Sequence, residues 1–405
     1  MKLIILLFLS ATAFTQNKIS ADDAIKKVLK SNREIEEASL SLKRAESNLS
    51  LAKASLLPYF YASGSYYSVN PEKSDSYETL TAGLNVSADI LNYSSIASYK
   101  SALLEKEQAK AILEKKISEI KNQTCKSAAE IVRLNSLLAI AEKDIERRKE
   151  NLDLINIKYK AGIESKSALA ETEVALKTAV WKKTDLERRL RKAQKELNIL
   201  MGEPVMSKFY ITELSDKTDI NDFDYYLKKI SNHYALRLAD MESEYYLVLK
   251  KKALREKWPI ITGSASYEGS GPSYGKISYV LKGGVSASIP IFSFGKTSYS
   301  YDSAGKKYEE SILRLKSLKE NIISQLEDSW LAYKQAKAYA DLTSSALDAA
   351  SLRAWLVRKQ YLSGGSSYFE WKNAENALNE YENSSAEAKI SVYEAACDLK
   401  KSAGE

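Results

Sequence analysis

From Ser94 to Ala161 the chain runs without a glycine or a proline, and its apolar residues recur at helical spacing. Ile117, Ile120, Ala128, Ile131, Leu134, Leu138, Ala141, Ile145, Leu152 and Ile155 step by threes, fours and their sums, while Lys, Arg and Glu occupy most of the other faces. The spacing predicts one uninterrupted helix, roughly 100 Å long at about 1.5 Å per residue. A narrow apolar stripe on an isolated helix has nowhere to be buried, so this rod must pack along its whole length.

Other stretches switch to a period of two. Leu80, Ala82, Leu84, Val86, Ala88 and Ile90 alternate with Thr79, Thr81, Gly83, Asn85, Ser87 and Asp89, which predicts a strand over Thr79–Ile90. Tyr59–Val69 is its expected partner, joined through a loop at Asn70-Pro71. A second pair follows later: Ile260–Glu268, a turn at Gly269–Pro272, then Lys276–Ile291, where Ile277, Tyr279, Leu281, Val285, Ala287 and Ile289 oppose Ser278, Lys282, Ser286 and Ser288. Strands of about 10 residues can cross a bilayer if tilted, with the apolar face toward lipid and the Ser/Thr/Asn face toward water. The same pattern also suits a soluble amphipathic sheet packed on a core.

Rods and strands recur in one order. Asn32 answers to Asn232, Pro58 to Pro259, Tyr159-Lys-Ala-Gly162 to Tyr361-Leu-Ser-Gly364, and Glu173 with Leu176 to Glu375 with Leu378, which reads as a tandem repeat. The first half, 14–203, is expected to hold a helix over Ala21–Leu57 that Pro58 stops, the first strand pair, the long rod and a return helix over Ser165–Met201. The second, 221–405, is expected to hold a helix from Asp222 to Glu256, the second pair, a rod from Thr297 to Leu362, a tip at Gly364-Gly365 and a return helix over Tyr368–Ser402. Residues 204–220 read as an irregular connector. The break between rod and return helix is short, so each pair should fold back as an antiparallel hairpin. The fold class is mainly α with a small β portion.

Composition places this architecture outside the cytoplasm. Lys2, an apolar run from Leu3 to Leu9 and Ala11-Thr12-Ala13 read as a secretory leader over 1–13. The net charge is +7, but Lys and Arg are interspersed with Glu along the helices instead of forming a patch, so no nucleic-acid partner is expected. One histidine, His233, and two cysteines, Cys125 and Cys397, leave no constellation for a metal site or a nucleophilic triad, and neither an enzyme nor a cofactor is expected. The cysteines lie 37 residues before Gly162 and 33 after Gly364, at similar heights on straight helices. A link between them and two buried free thiols both remain open.

The order helix, strand pair, rod, tip and return helix, stated twice, resembles the TolC-like outer membrane efflux proteins. The motifs that carry the resemblance are Leu57-Pro58 and Trp258-Pro259 at the helix ends, Pro290-Ile-Phe-Ser-Phe-Gly295 before the second rod, and the two Tyr-x-x-Gly tips. It covers essentially the whole chain after the leader. It implies a homotrimer whose three protomers close a 12-stranded barrel in outer membrane lipid, continued by an α-helical tunnel through the periplasm. It further implies a passive exit duct for a tripartite efflux or type I secretion system, working with a periplasmic adaptor (membrane fusion protein) and an inner-membrane pump. The other reading is a soluble periplasmic coiled-coil scaffold or adaptor.

By the resemblance, the functional residues lie at the tips. Tyr159, Gly162, Tyr361 and Gly364 match the adaptor-docking motifs, and the glycines are also expected to act as left-handed helix caps. The family's gate, an acidic ring at the start of the second return helix, falls on Glu370 and Asn373. Asn373 departs from the acidic pattern, and Ser366 lacks the basic side chain with which some relatives lock the closed tip. Glu370 also reads as an ordinary solvated helix glutamate. Cargo leaves no signature in these residues.

Overall fold

The computed structural model describes residues 17–70, 77–207, 209–211, 214, 220–272 and 275–405. The leader over 1–13 and Pro71 of the first strand loop lie outside them. In chain order the elements are β1 (Asn17–Ile19), α1 (Ala21–Ser31), α2 (Arg33–Ala54), β2 (Tyr59–Val69), β3 (Tyr77–Leu91), α3 (Tyr93–Lys160), α4 (Lys166–Leu200), β4 (Phe209–Ile211), α5 (Phe223–Lys229), α6 (Tyr234–Arg255), β5 (Ile260–Gly271), β6 (Ser278–Ser288), α7 (Lys296–Ser363) and α8 (Tyr368–Ser402). The rods α3 and α7 are each 68 residues long and their return helices α4 and α8 are each 35. The rods end within two residues of the expected positions, because Gly162 and Gly364 adopt φ of 75° and 81° and stop them.

The two helices expected to run unbroken into the strand pairs are each broken near the start. Asn32 sits between α1 and α2 and is buried. Its Nδ2 donates to the Leu200 carbonyl at 3.0 Å, while its Oδ1 accepts from the backbone N–H of Glu34 at 2.9 Å and of Ile35 at 3.2 Å. One amide thus ends α1 against α4 and caps α2. In the second half α5 and a 3₁₀ turn over Ile230–Asn232 precede α6, whose cap is His233: its Nδ1 accepts from the Ala235 N–H at 3.2 Å. The structural counterpart of Asn32 is therefore His233, one residue beyond the Asn232 that the sequence echo suggests.

The chain divides into two compact units, and each draws on both sequence halves. Unit one comprises Met1–Glu36, Lys116–Ile230 and Ile322–Glu405. Its largest core joins α1, α3, α4, β1 and β4 through Val28, Ile120, Ala128, Ile131, Leu134, Leu197, Met201 and Phe209. Among the described residues of the connector, β4 pairs in parallel with β1, Ile19 opposite Ile211, and Asn198 Nδ2 holds the carbonyls of Val205 and Ser207. Further along, Cys125 of α3 and Cys397 of α8 form a disulfide with their Cα atoms 6.5 Å apart, in a cluster with Ala129, Ile390 and Tyr393.

Unit two comprises Glu37–Lys115 and Ser231–Asn321. It contains one antiparallel sheet in the order β2-β3-β5-β6. β5 runs on to Gly271, through residues expected to form a turn, because Gly269 and Ser270 pair with Tyr279 and Ser278. Behind β6, Phe294 and Gly295 both adopt positive φ, 48° and 82°, and turn the chain into α7.

Candidate functional site

Two arrangements bear on function: the faces of the sheet and the hairpin tips. In the sheet, register places Phe60, Val86 and Ala265 in one row and Ala62, Leu84, Tyr267 and Leu281 in the next. Leu84 is 66% exposed and Leu281 78% exposed, so this apolar face is not the lid of a core within the protomer. Alternate residues carry the polar face, where Ser65 meets Thr81, Asn85 Nδ2 donates to Ser63 Oγ at 2.8 Å, and Thr262 and Ser286 hydroxyls meet at 2.7 Å. β2 and β6 each have one neighbour among the described strands, leaving both sheet edges unpaired. No described helix is long and apolar enough to cross a membrane.

The tips lie in unit one. At the first, Ile163 N–H donates to the Lys158 carbonyl at 2.9 Å around Gly162; at the second, Gly365 N–H donates to the Gln360 carbonyl at 2.8 Å around Gly364. These bonds close the helix ends, and a Cβ on either tip glycine would meet nothing within 4 Å. Ser165 and Ser367 then cap α4 and α8, accepting from the N–H of Ala168 at 3.0 Å and of Glu370 at 3.2 Å. The two tyrosines of the matching motifs differ. Tyr159 is 38% exposed, whereas Tyr361 is 2% exposed and so presents no surface for a partner.

Tyr361 is instead the centre of a latch between the hairpins. Its ring stacks on Trp371 with centroids 4.7 Å apart and 11° between planes, in a cluster with Ile155 and Ala168. Lys158 Nζ lies 3.8 Å from the ring centroid and donates to the Tyr361 carbonyl at 3.1 Å. The phenol donates to Glu164 Oε1 at 2.6 Å. Burial, and then the bond to Glu164, push the phenol well above its ordinary range. Beside it, Tyr368 and Thr172 hydroxyls meet at 3.0 Å, and Lys372 pairs with Glu171. Lys158, Glu164 and Trp371 were not singled out from the sequence; spacing alone reveals neither the stack inside the second hairpin nor the reach of Lys158 and Glu164 from the first hairpin to Tyr361.

Glu370 and Asn373 are both exposed on α8. The Glu370 carboxylate is turned back on the helix start, where Oε2 accepts from Ser366 Oγ at 2.7 Å and from the Ser367 N–H at 3.2 Å. With Ser367 it forms a capping box, and the Ser366 hydroxyl foremost holds its carboxyl below the ordinary glutamate value. The Ser-x-x-Glu spacing that signals this box is legible in the sequence. Higher on the hairpins, Arg147 of α3 grips Glu382 of α8 through two bonds of 2.8 and 2.6 Å, and burial raises Glu375 nearby.

Long helical hairpins joined at their tips, with a sheet polar on one face, apolar on the other and unpaired at both edges, define the class of helical-hairpin outer membrane channels. The chain belongs to the outer membrane efflux protein family, whose model matches residues 24–203 and 255–405. It is an outer membrane efflux channel component, a passive duct and not an enzyme, and the soluble scaffold reading is set aside. Nodulation protein T of Rhizobium leguminosarum bv. trifolii is 22% identical over 387 residues, covering 91% of this chain and 81% of that protein. The same fold occurs in the crystal structure of CusC, with a TM-score of 0.87 at 15% identity over 95% of this chain and 92% of that one. It occurs also in the open state of the Neisseria gonorrhoeae MtrE channel, with a TM-score of 0.83 at 16% identity over 98% and 93% of the two chains.

Proposed function

We propose that three copies of the chain close their sheets edge to edge into one 12-stranded barrel in outer membrane lipid, which an α-helical tunnel continues into the periplasm. The observation that carries this reading is the sheet: an exposed apolar face and two unpaired edges are untenable in lipid unless the sheet is closed. Four strands per chain cannot close alone, so neighbours must supply the rest. Residues 14–203 and 221–405 act as two structural repeats around the 204–220 connector, after removal of the leader over 1–13.

The duct receives cargo from an inner-membrane pump through a periplasmic adaptor that meets the tips. On the first tip Tyr159 and Gly162 are presented for docking. On the second, Gly364 is presented while Tyr361 fixes the backbone behind it. Glu370 supplies the gate's negative charge, and Asn373 adds no second charged layer. Membrane fractionation with crosslinking tests the assembly: a crosslinked trimer in the outer membrane is the expected result, and recovery as a soluble monomer sinks it.

A further inference from the structure

Among the residues of the four sheet strands, carboxylates and amines are confined to Glu78, Asp89, Glu268 and Lys282. Glu78 pairs in register with Ser68 near the start of β3, in the alternation of the apolar rows. The other three belong to the polar face. Asp89 is engaged at the start of α3, where its Oδ2 accepts from Asn92 Nδ2 at 2.8 Å and from Ser95 Oγ at 3.1 Å. Glu268 and Lys282 engage each other. Lys282 stands opposite Ser266 and Glu268 opposite Val280, so the two side chains meet diagonally across β5 and β6, with Nζ 2.8 Å from Oε2. Both remain open to solvent, with 63% of the Lys282 side chain and 37% of Glu268 exposed.

We propose that the Glu268–Lys282 pair sets the charge selectivity of the barrel lumen. This rests on the trimeric barrel, in which the polar face lines the pore. The surrounding wall carries uncharged groups, with Gly83 and Val280 flanking Glu268 and the hydroxyls and amides of Ser63, Thr81, Asn85 and Thr262 around them. Each protomer therefore contributes two opposite charges that cancel within one hydrogen-bond length, and the lumen at this level presents no net fixed charge. At this level solutes of either sign, and uncharged ones, pass without electrostatic sorting. Removing one partner converts the same level into a ring of three like charges, which concentrates counterions and excludes co-ions. Lys282 is thus a selectivity residue by neutralisation: it cancels a cation-attracting ring that Glu268 alone would form.

The experiment is a reversal-potential measurement across planar bilayers under a KCl gradient, with trimers of the full chain carrying Lys282→Gln, Glu268→Gln, both changes, or neither. Lys282→Gln is expected to raise the K⁺/Cl⁻ permeability ratio several-fold over the unsubstituted channel, Glu268→Gln to lower it, and the double variant to restore it. Conducting channels whose ratio is unchanged by both single variants overturn the proposal, as does a double variant that keeps either single variant's shift. Where one single variant does not assemble, the other against the double decides by the same criterion. Failure of the unsubstituted chain to form trimers or conduct is a distinct result, and it counts against the channel assembly on which the pair's role rests.

Discussion

Tyr361 of α7 donates its phenol proton to Glu164 in the turn between α3 and α4, at 2.6 Å, and this bond ties the end of one hairpin to the end of the other. It is backed by the Tyr361–Trp371 stack, whose Trp371 is 1% exposed. Tyr361→Phe keeps the stack and loses the bond, and is expected to cost about 1–2 kcal/mol. Trp371→Ala removes the packed ring and is expected to cost roughly 3–5 kcal/mol. Hydrogen exchange over residues 155–172 checks both: a modest local acceleration for the first variant and a larger one for the second are expected. Equal exchange in all three proteins would show that the latch holds nothing.

The disulfide between Cys125 and Cys397 spans 272 residues of sequence, so it restricts the unfolded chain far more than a local crosslink would. A chain-entropy treatment puts its contribution at roughly 5 kcal/mol, the upper end for a single bridge. Cys125→Ser with Cys397→Ser is therefore expected to lower the unfolding temperature by many degrees without changing the helix content. Mass measurement after alkylation checks the link itself. Label should be absent before reduction and present on both cysteines after it; two labelled thiols in unreduced protein would remove the bridge.

His233 is the sole histidine, and capping α6 requires its Nδ1 to be unprotonated. Burial holds its pKa below the ordinary histidine value, so the native state refuses a proton that the unfolded chain accepts. The stability from neutral His233 is fully present above the ordinary value near 6.5, and it is lost as pH falls through the depressed native value. Exchange-corrected protection of the first turn of α6 is expected to drop between pH 7 and pH 5 in the natural chain. His233→Asn retains a capping oxygen without a titrating ring, and its protection should stay flat over that range. A parallel drop in the variant would assign the effect to another group.

How much of this was legible in the sequence differs from element to element. The rods were, because a long proline-free apolar stripe, glycine-free in α3 and interrupted in α7 only by Gly305, leaves few alternatives and a left-handed glycine ends each one. The strands were too, since one face must differ from the other at period two. The breaks at Asn32 and His233 were not: the acceptor that holds Asn32 is Leu200, 168 residues away, and no local propensity encodes it. β1 and β4, three residues each, are too short for any alternation to show. At the tips the motif was visible but the burial was not. Tyr159 and Tyr361 occupy the same place in it, yet only Tyr361 stacks on a tryptophan, because α8 carries Trp371 where α4 carries Leu169.

Glu370 caps α8 and carries the proposed gate charge on one carboxylate, and truncating the side chain cannot separate the two roles. Glu370→Ala removes both the negative charge and the bonds to Ser366 and Ser367, so altered conductance in that variant would follow from a frayed α8 as readily as from a lost gate. Glu370→Gln keeps an oxygen that can accept from the Ser367 N–H, and it loses only the charge. If three copies of Glu370 form the gate's anionic ring, Glu370→Gln should abolish block by a polyvalent cation as fully as Glu370→Ala does, while the first turn of α8 keeps its exchange protection. Should only Glu370→Ala alter the block, and in step with lost protection, the carboxylate is a capping group alone. Replacing Asn373 with Asp under the same assay gives the converse result: a second anionic layer one helical turn further on should strengthen the cation block if these side chains face the pore axis.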